Sequence, residues 1–238
     1  MTCAAKIHTK DEKIMRYLID SFDPKAIADI ADYFPYDGVT TNPTIVAREK
    51  RDYRNTLLEI REIIGKDRVL HVETLQTRAD AMVREALALQ ALVGEAFSVK
   101  LPVCREGLKA LPMLRQKGVS VTMTAVFSAQ QALVCARAGA DYVAPYVNKM
   151  DDVTNGCATV ARIVRMLDAH HLPTKVLSAS FRNVEQVNMI AECGSHYITL
   201  PPAFFEKLIW HPMTDLAVAG FERDWQNAYG GKMPIELL

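Results

Sequence analysis

The sequence predicts an α/β protein that folds as a single (β/α)8 barrel, also called a TIM barrel. Short apolar segments alternate with longer helical segments along the whole chain, and eight such strand segments occur. This alternation is typical of a parallel sheet, and eight units close into a barrel. The rival fold is a doubly wound open sheet, but its nucleotide-binding loops, GxGxxG and GxxxxGK[ST], are absent from the sequence.

The predicted strands are short runs of apolar and β-branched residues, several of which alternate with polar residues. In chain order they are MRYLI (15–19), DGVTT (37–41), RVLHVET (68–74), FSVKLP (97–102), VSVTMTAV (119–126), DYVAPYV (141–147), KVLSASF (175–181) and HYITLP (196–201). A period of two residues indicates a strand whose two faces meet different surroundings.

Longer segments with helical periodicity separate these strands. In chain order they are PKAIADIADYF, RNTLLEIREIIG, RADAMVREALALQALVG, REGLKALPMLRQKG, SAQQALVCARAG, CATVARIVRMLDAHH, NVEQVNMIAECG, and AFFEKLI with the C-terminal tail. Glycine commonly ends helices. It ends several of these segments, at Gly65, Gly94, Gly118, Gly139 and Gly194.

The composition indicates a globular cytoplasmic protein. Of the 238 residues, 50% are hydrophobic, and 28 basic residues balance 28 acidic ones. This balance argues against nucleic acid as a partner, and the lack of a long apolar run argues against a membrane span. The five cysteines form no CxxC pair, and the first residues lack the apolar core of a signal peptide, so a reducing cytoplasm is expected.

One domain, residues 1–238, is expected because no linker-like stretch divides the chain. Residues 1–13 are expected to form a polar N-terminal extension. Residues 210–238 follow the last strand as a helical tail. The apolar residues of this tail are Leu216, Val218, Phe221, Trp225 and Tyr229. A helix with such a face can pack on its own barrel or across a subunit boundary.

Polar and ionisable residues are concentrated at the carboxyl ends of the predicted strands. Loops at these ends surround a common mouth in a barrel, and chemistry gathers there. In strand order the residues are Asp20, Thr41, Asn42, Glu73, Lys100, Thr122, Thr124, Tyr146, Lys149, Ser180 and Arg182. The last strand, which ends at Thr199 and Leu200, is expected to contribute little. The sequence therefore predicts an active site at the mouth.

Alternation divides the central strands into a polar inward face and an apolar outward face. In the fourth strand, Lys100 and Ser98 share the inward face. By the same rule the inward residues of the third and fifth strands are His71, Glu73, Thr122 and Thr124.

An inward lysine points to Schiff-base chemistry. Lysine is rarely fully buried, and removal from water disfavours the charged form of an amine. A neutral amine attacks a carbonyl carbon, and the protonated Schiff base then accepts electrons during carbon–carbon bond cleavage. Asp20, Glu73 and Tyr146 are the candidate proton-transfer groups. Metal catalysis is not expected, because HExxH is absent and the histidines do not cluster with strand-end carboxylates.

Each candidate also has a structural explanation. Lys100 could extend from the strand end toward solvent, and Glu73 could serve only as its ion-pair partner. Tyr146 could pack beneath the mouth, and Asn42, which precedes Pro43, could serve the turn alone. Ordinary surface charge is the alternative for Lys149 and Arg182.

Several motifs resemble the transaldolase family, and in particular its small fructose-6-phosphate aldolase branch. They are DGVTTNPTIV, SVKLPV, TAVFSAQQALVCARAGADYVAPYVNKM and SASFRN, in the family's order, and the resemblance spans about Met15 to Gly230. It implies a (β/α)8 barrel in which a lysine on the fourth strand forms a Schiff base with a ketose. A three-carbon dihydroxyacetone unit is held while an aldehyde leaves, and no cofactor is needed.

Carried over by position, the resemblance assigns roles to individual residues. Lys100 matches the Schiff-base lysine, and Asp20 in YLIDSFD matches the acid that handles the proton of the sugar hydroxyl. Thr124 matches the threonine that positions the catalytic water, and Asn42 in TTNP matches the amide that binds the donor. The other substrate-binding candidates are Thr41, Lys149, and the phosphate-binding pair Ser180 and Arg182 of SASFR.

Three positions bear on the choice within the family. Glu73 is typical of transaldolases, since the aldolase branch carries glutamine there. Tyr146 is typical of the aldolase branch, since transaldolases carry phenylalanine. Lys149 replaces an arginine usual in both branches, and lysine lacks the planar fork that binds phosphate through two nitrogens. The natural sugars, and whether the bound anion is a phosphate, therefore stay open.

Three functions are weighed. The first is a class I aldolase that reversibly cleaves fructose 6-phosphate to dihydroxyacetone and glyceraldehyde 3-phosphate. The second is a transaldolase that transfers the dihydroxyacetone unit between sugar phosphates such as sedoheptulose 7-phosphate and glyceraldehyde 3-phosphate. The third is a non-catalytic barrel that binds sugar phosphate. The resemblance also implies a homo-oligomer, a decamer of pentameric rings. The apolar face of the tail helix near Trp225 is where a subunit contact is expected.

Overall fold

The computed structural model describes residues 14–238, and eight parallel strands within them form a closed barrel. The strands are β1 (Arg16–Asp20), β2 (Gly38–Thr40), β3 (Val69–Glu73), β4 (Phe97–Pro102), β5 (Ser120–Val126), β6 (Tyr142–Pro145), β7 (Lys175–Ser178) and β8 (Tyr197–Leu200). Each strand pairs with the next, and β8 pairs with β1 to close the sheet. The (β/α)8 prediction is confirmed. The predicted extension over residues 1–13 lies outside the described residues.

Helices follow the strands in the order that a (β/α)8 barrel requires. They are α1 (Pro24–Tyr33), α2 (Pro43–Glu49), α3 (Tyr53–Ile64), α4 (Ala79–Val93), α5 (Arg105–Arg115), α6 (Ala129–Arg137), α7 (Val147–Asp151), α8 (Gly156–Ala169), α9 (Val184–Glu192), α10 (Phe205–Ile209) and α11 (Pro212–Tyr229). Short 3-10 helices span Pro202–Phe204 and Pro234–Leu237.

The helix ends follow from local sequence. The Ser128 hydroxyl accepts a hydrogen bond from the Gln131 N–H, and the Gln131 side chain accepts one from the Ser128 N–H, a reciprocal cap that starts α6. Glycines that the sequence places at helix ends all have positive φ: Gly65, Gly94, Gly118, Gly139 and Gly194. That backbone conformation costs glycine little.

Two short helices at the mouth, α2 and α7, were not predicted. Asn42 accepts a hydrogen bond from the N–H of Ile45, and Pro43 has the fixed φ of a first helical residue, so α2 begins at once after β2. The predicted strand 141–147 ends at Pro145, because α7 begins at Val147, where the N–H of Met150 bonds to the carbonyl of Tyr146. Five to seven residues are too few to show helical periodicity.

The barrel interior contains an apolar and a polar group of side chains. Leu18, Leu177 and Tyr197 form an apolar cluster. His71 and Ser98 both bond to the hydroxyl of Thr122. The outward residues of β3 and β4 are buried against the helices, namely Leu70, Val72, Phe97, Val99 and Leu101. The predicted inward and outward faces are therefore confirmed, and the polar interior leads up to the mouth.

The chain divides into two compact units at Pro202. The second unit, residues 203–238, contains α11, which exposes Leu216, Val218, Phe221 and Tyr229. The Trp225 ring packs on that of Tyr229, with centroids 4.3 Å apart. A subunit contact through this helix stays a prediction, as does the single domain. None of the helices within residues 14–238 has both the length and the hydropathy to cross a membrane.

Candidate active site

A cavity of about 460 Å³ opens where the barrel strands end. Most of the predicted site residues line it: Asp20, Asn42, Glu73, Lys100, Thr124, Tyr146, Lys149 and Ser180. Its wall also includes Thr40, Arg48 and Thr199, to which the sequence analysis gave no role. The predicted concentration of polar groups at the mouth is therefore real, and β8 contributes to it.

Lys100 is buried within this polar site and is only 5% exposed. Its ammonium group, Nζ, donates a hydrogen bond of 2.7 Å to the carbonyl oxygen of Thr41. The Glu73 carboxylate lies 3.5 Å from the same nitrogen, because Glu73 and Lys100 are register partners on β3 and β4. Lys100 thus ends inside the cavity and does not extend to open solvent.

Asp20 is held by a chain of hydroxyl groups. Its Oδ1 accepts a hydrogen bond of 2.6 Å from the hydroxyl of Thr40, which lies beside it on β2. The Thr40 hydroxyl is also 2.6 Å from that of Thr199 on β8. Both threonines are buried, at 1% and 3% exposure. Three neighbouring strands therefore fix the orientation of one carboxylate.

The surroundings shift the acid strength of both carboxyl groups. Burial raises the pKa of Asp20, against the opposing effects of the Lys100 charge and the Thr40 hydrogen bond. Burial also raises the pKa of Glu73, while Lys100 acts to lower it. A carboxyl group with a raised pKa exchanges protons closer to neutral pH, which is the property that acid–base catalysis requires.

Tyr146 and Thr124 form a second polar pair in the cavity wall. The phenol oxygen of Tyr146 is 3.0 Å from the Thr124 hydroxyl, a hydrogen-bonding distance. A β-bulge follows Thr124, where Ala125 has a φ of 57° and the register between β5 and β6 shifts. Ser180, beyond the end of β7, has a similar φ of 63°. A residue other than glycine that is held at positive φ costs free energy, and such residues cluster at functional sites.

His71 forms part of the floor beneath Lys100. Its Nδ1 is 2.9 Å from the Thr122 hydroxyl, and its ring meets that of Tyr142 edge to face at 5.0 Å. Burial, with a smaller contribution from the Lys100 charge, lowers the pKa of His71 to about 3. The imidazole is therefore neutral near pH 7. Its Nε2 has no hydrogen-bond partner within residues 14–238.

The predicted anion-binding residues separate into two groups. Lys149 and Ser180 line the cavity, and the Lys149 ammonium lies 5.6 Å from the centroid of the Tyr146 ring. Arg182 does not line it, because its guanidinium bonds at 3.0 Å to the exposed carboxylate of Asp152. Arg48 on α2 does line the cavity and is paired only loosely, at 3.6 Å, with Glu49 beside it.

Thr41 and Asn42 have local structural bonds as well. The Thr41 side chain is fully buried and does not line the cavity, so its contact with the site is the carbonyl bond to Lys100. Asn42 lines the cavity while its Oδ1 caps α2. Across the described residues, no group of three or more His, Cys, Asp or Glu side chains could hold a metal ion.

Sequence reasoning missed Thr40, Thr199 and Arg48. Period-two alternation could have found Thr40, because it lies two residues before Asn42 on the inward side of β2. Thr199 meets Thr40 only when β8 closes on β1, a contact that spans 159 positions. Arg48 lies on the unpredicted helix α2.

Relatives with known sequences match nearly the whole chain. A probable transaldolase of Symbiobacterium thermophilum is 40% identical over 217 residues, which are 91% of this chain and 99% of the relative. One from Syntrophomonas wolfei is 38% identical over 90% of this chain and 100% of the relative. Probable transaldolase 2 of Listeria monocytogenes is 36% identical over 89% of this chain and 96% of its own length.

Solved structures support the barrel fold. Two flavocytochrome b2 variants superimpose with TM-scores of 0.58 and 0.59, each at 12% identity, over 81% and 80% of this chain. The chain spans 57% of each of those proteins, and the likeness concerns the fold alone.

The sequence model described as Transaldolase/Fructose-6-phosphate aldolase matches residues 17–231. The chain therefore belongs to the transaldolase/fructose-6-phosphate aldolase family and is an enzyme of the aldolase and transaldolase type.

Proposed function

We propose that this enzyme is a transaldolase that takes a dihydroxyacetone unit from a ketose phosphate through a Schiff base on Lys100 and passes it to an acceptor aldehyde. One observation carries the proposal. The Lys100 amine is buried in a polar cavity, 3.5 Å from the Glu73 carboxylate and beside a second carboxylate, Asp20. Such a site can both form an imine and move the protons that its chemistry requires.

In the first step the neutral Lys100 nitrogen attacks the C2 carbonyl carbon of the ketose. The carbonyl oxygen takes up protons and leaves as water, and a protonated Schiff base remains. Glu73 is near enough to the nitrogen to exchange protons with it, directly or through one water. The carbonyl of Thr41 orients the amine in the free enzyme.

In the second step Asp20 accepts the proton of the C4 hydroxyl. The electrons of the C3–C4 bond move to the iminium and form an enamine, and the aldehyde portion leaves. Asn42 lines the cavity, where its amide can bind the hydroxyl groups of the retained three-carbon unit. Lys149 and Ser180 line it as well and provide a cation and a hydroxyl for the anionic end of the sugar.

The fate of the enamine separates two functions. Attack on an acceptor aldehyde completes transfer, and the relatives named probable transaldolase, together with Glu73, support this outcome. Hydrolysis of the Schiff base releases free dihydroxyacetone instead, which is the aldolase reaction. The bond between Tyr146 and Thr124 favours this second candidate, because a phenol and a hydroxyl together can orient a hydrolytic water.

The Schiff base is tested by trapping it. Borohydride added during turnover of fructose 6-phosphate is expected to reduce the imine and leave a permanent adduct on the peptide that contains Lys100. The Lys100→Ala variant should form no adduct and lose activity. Lys175→Ala, which changes a lysine at the start of β7, serves as the matched control and should still be trapped. Continued substrate consumption with the Lys100 peptide unmodified would refute the proposal.

The need for an acceptor aldehyde distinguishes transfer of the dihydroxyacetone unit from its release. Fructose 6-phosphate is incubated with and without erythrose 4-phosphate, and both free dihydroxyacetone and the seven-carbon product are measured. Turnover that depends on erythrose 4-phosphate supports the transaldolase. Release of dihydroxyacetone at an equal rate without the acceptor would support the aldolase in its place.

A further inference from the structure

The hydroxyl chain beside Asp20 has a direction that follows from counting protons. A threonine hydroxyl has one proton to donate. Thr40 contacts two oxygens at 2.6 Å, one on the Asp20 carboxylate and one on Thr199. An ionised carboxylate only accepts, so Thr40 gives its proton to Asp20. Thr199 must then be the donor in its own contact with Thr40.

We infer that Thr199, acting through Thr40, is a positioning residue that holds Oδ1 of Asp20 and leaves its other carboxylate oxygen to exchange the proton with substrate. The inference rests on the proposed function, in which Asp20 accepts that proton. Within the described residues, Oδ1 is the Asp20 side-chain oxygen with a recorded hydrogen bond, and Asp20 lines the cavity. The proton that Asp20 gains is therefore directed to the cavity side of the carboxylate.

The burial of the two hydroxyls explains why they can fix this arrangement. Water, which could otherwise accept the Thr40 proton and turn it away from Asp20, is largely excluded, because Thr40 and Thr199 are only 1% and 3% exposed. Inside a protein, each hydrogen bond in a chain also polarises the next, so a Thr199 donor strengthens the bond from Thr40 to the carboxylate. Loss of the Thr199 hydroxyl leaves the lone pair of Thr40 without that donor.

Charged groups on three other elements also face Asp20. They are Lys100 on β4, Arg48 on α2 and Glu73 on β3. The two cations stabilise the ionised carboxylate, and Glu73 opposes it when ionised. None of these groups contacts Thr199 through a recorded hydrogen bond or ion pair among residues 14–238, so a change at Thr199 leaves their arrangement in place.

The test compares Thr199→Val, which removes the hydroxyl and keeps the shape, with Thr199→Ser, which restores the hydroxyl. The rate of transfer from fructose 6-phosphate to erythrose 4-phosphate is measured from pH 5 to pH 9. We expect kcat of the valine variant to fall about 10-fold with little change in KM, because a bond to a reacting carboxylate is weakened. The rise of kcat with pH should shift upward by about half a unit or more, since a carboxylate with a weaker hydrogen bond is less acidic.

The serine variant should recover both the rate and the pH profile. Ser178→Ala is the matched control, because it removes a buried hydroxyl that bonds at 2.8 Å to Ser195 and does not contact Asp20. Its pH profile should match that of the unchanged enzyme. If Thr199→Val is too unstable to assay, Thr199→Ala is measured in the same way.

A different role for Thr199 makes a different prediction. The bond between Thr199 and Thr40 could serve only to stabilise the barrel, by linking β8 to β2 on either side of β1. The Thr199→Val variant would then melt at a lower temperature, and its pH profile would stay unchanged. That result would overturn the inference. Borohydride trapping in the same variant keeps the two proposals apart. An adduct at Lys100 with an unshifted profile refutes the role of Thr199 alone, whereas no adduct in the unchanged enzyme refutes the proposed function.

Discussion

The buried imidazole of His71 should make the stability of this enzyme depend on pH. Burial lowers the pKa of His71 to about 3, whereas an unfolded chain exposes a histidine with a pKa of about 6.5. The unfolded state therefore binds more protons as the pH falls below that unfolded value. This contribution to stability is complete above about pH 6.5 and is lost progressively as the pH falls toward 3.

The size of the effect follows from the two pKa values. At pH 5 the unfolded histidine is almost fully protonated, and protonating it stabilises the unfolded state by about 2 kcal/mol relative to pH 8. The folded state gains almost nothing at pH 5, because this pH lies well above the pKa of about 3.

The measurement compares the free energy of unfolding of the unchanged enzyme with that of His71→Asn. Asparagine keeps a polar atom near the Thr122 hydroxyl but does not titrate in this range. The stability advantage of histidine over asparagine should shrink by about 2 kcal/mol between pH 8 and pH 5. His170→Asn changes an exposed histidine and serves as the control. Parallel pH curves for the unchanged enzyme and His71→Asn would show that the imidazole is not excluded from water as described.

Three further predictions concern the mouth. Tyr146→Phe removes the phenol that bonds to Thr124 and should slow release of dihydroxyacetone without acceptor more than transfer; equal slowing of both rates would contradict the assigned role. Lys149→Ala should raise KM for fructose 6-phosphate about 10-fold and leave KM for unphosphorylated fructose unchanged, a contrast that steady-state kinetics would reveal. Ala125→Val should lower the free energy of unfolding by about 1–3 kcal/mol, whereas Ala125→Gly should not, because glycine adopts the positive φ of this position easily. Urea titration of the two variants measures the difference.

The sequence predicts the position of Lys100 well for a physical reason. Strand residues alternate between two faces, and the apolar neighbours of Lys100 could face only the helices. Once Lys100 points inward, Glu73 on the preceding strand follows by the same rule, and the structure pairs the two at 3.5 Å. This part of the site depends on local pattern, which a single sequence contains.

Other features depend on contacts between distant segments. Arg182 follows Ser180 closely in sequence, yet its guanidinium is taken up by Asp152, which lies 30 positions away. Charge pattern along a chain does not reveal such a partner. Thr199 had no evident role because its contact with Thr40 exists only after the barrel closes. The short helix α2, which brings Arg48 to the mouth, is too brief for periodicity to reveal.

The left-handed backbone at Ala125 and Ser180 limits how this enzyme could be engineered for other sugars. Ser180 lines the cavity and Ala125 follows the lining residue Thr124, so both positions would attract anyone designing a mutant library. Branched side chains such as valine and isoleucine are strained at positive φ, so the members of a library that carry them there would be destabilised. Diversity is better introduced at Lys149 or Arg48, where the backbone is an ordinary helix and no positive φ adds strain.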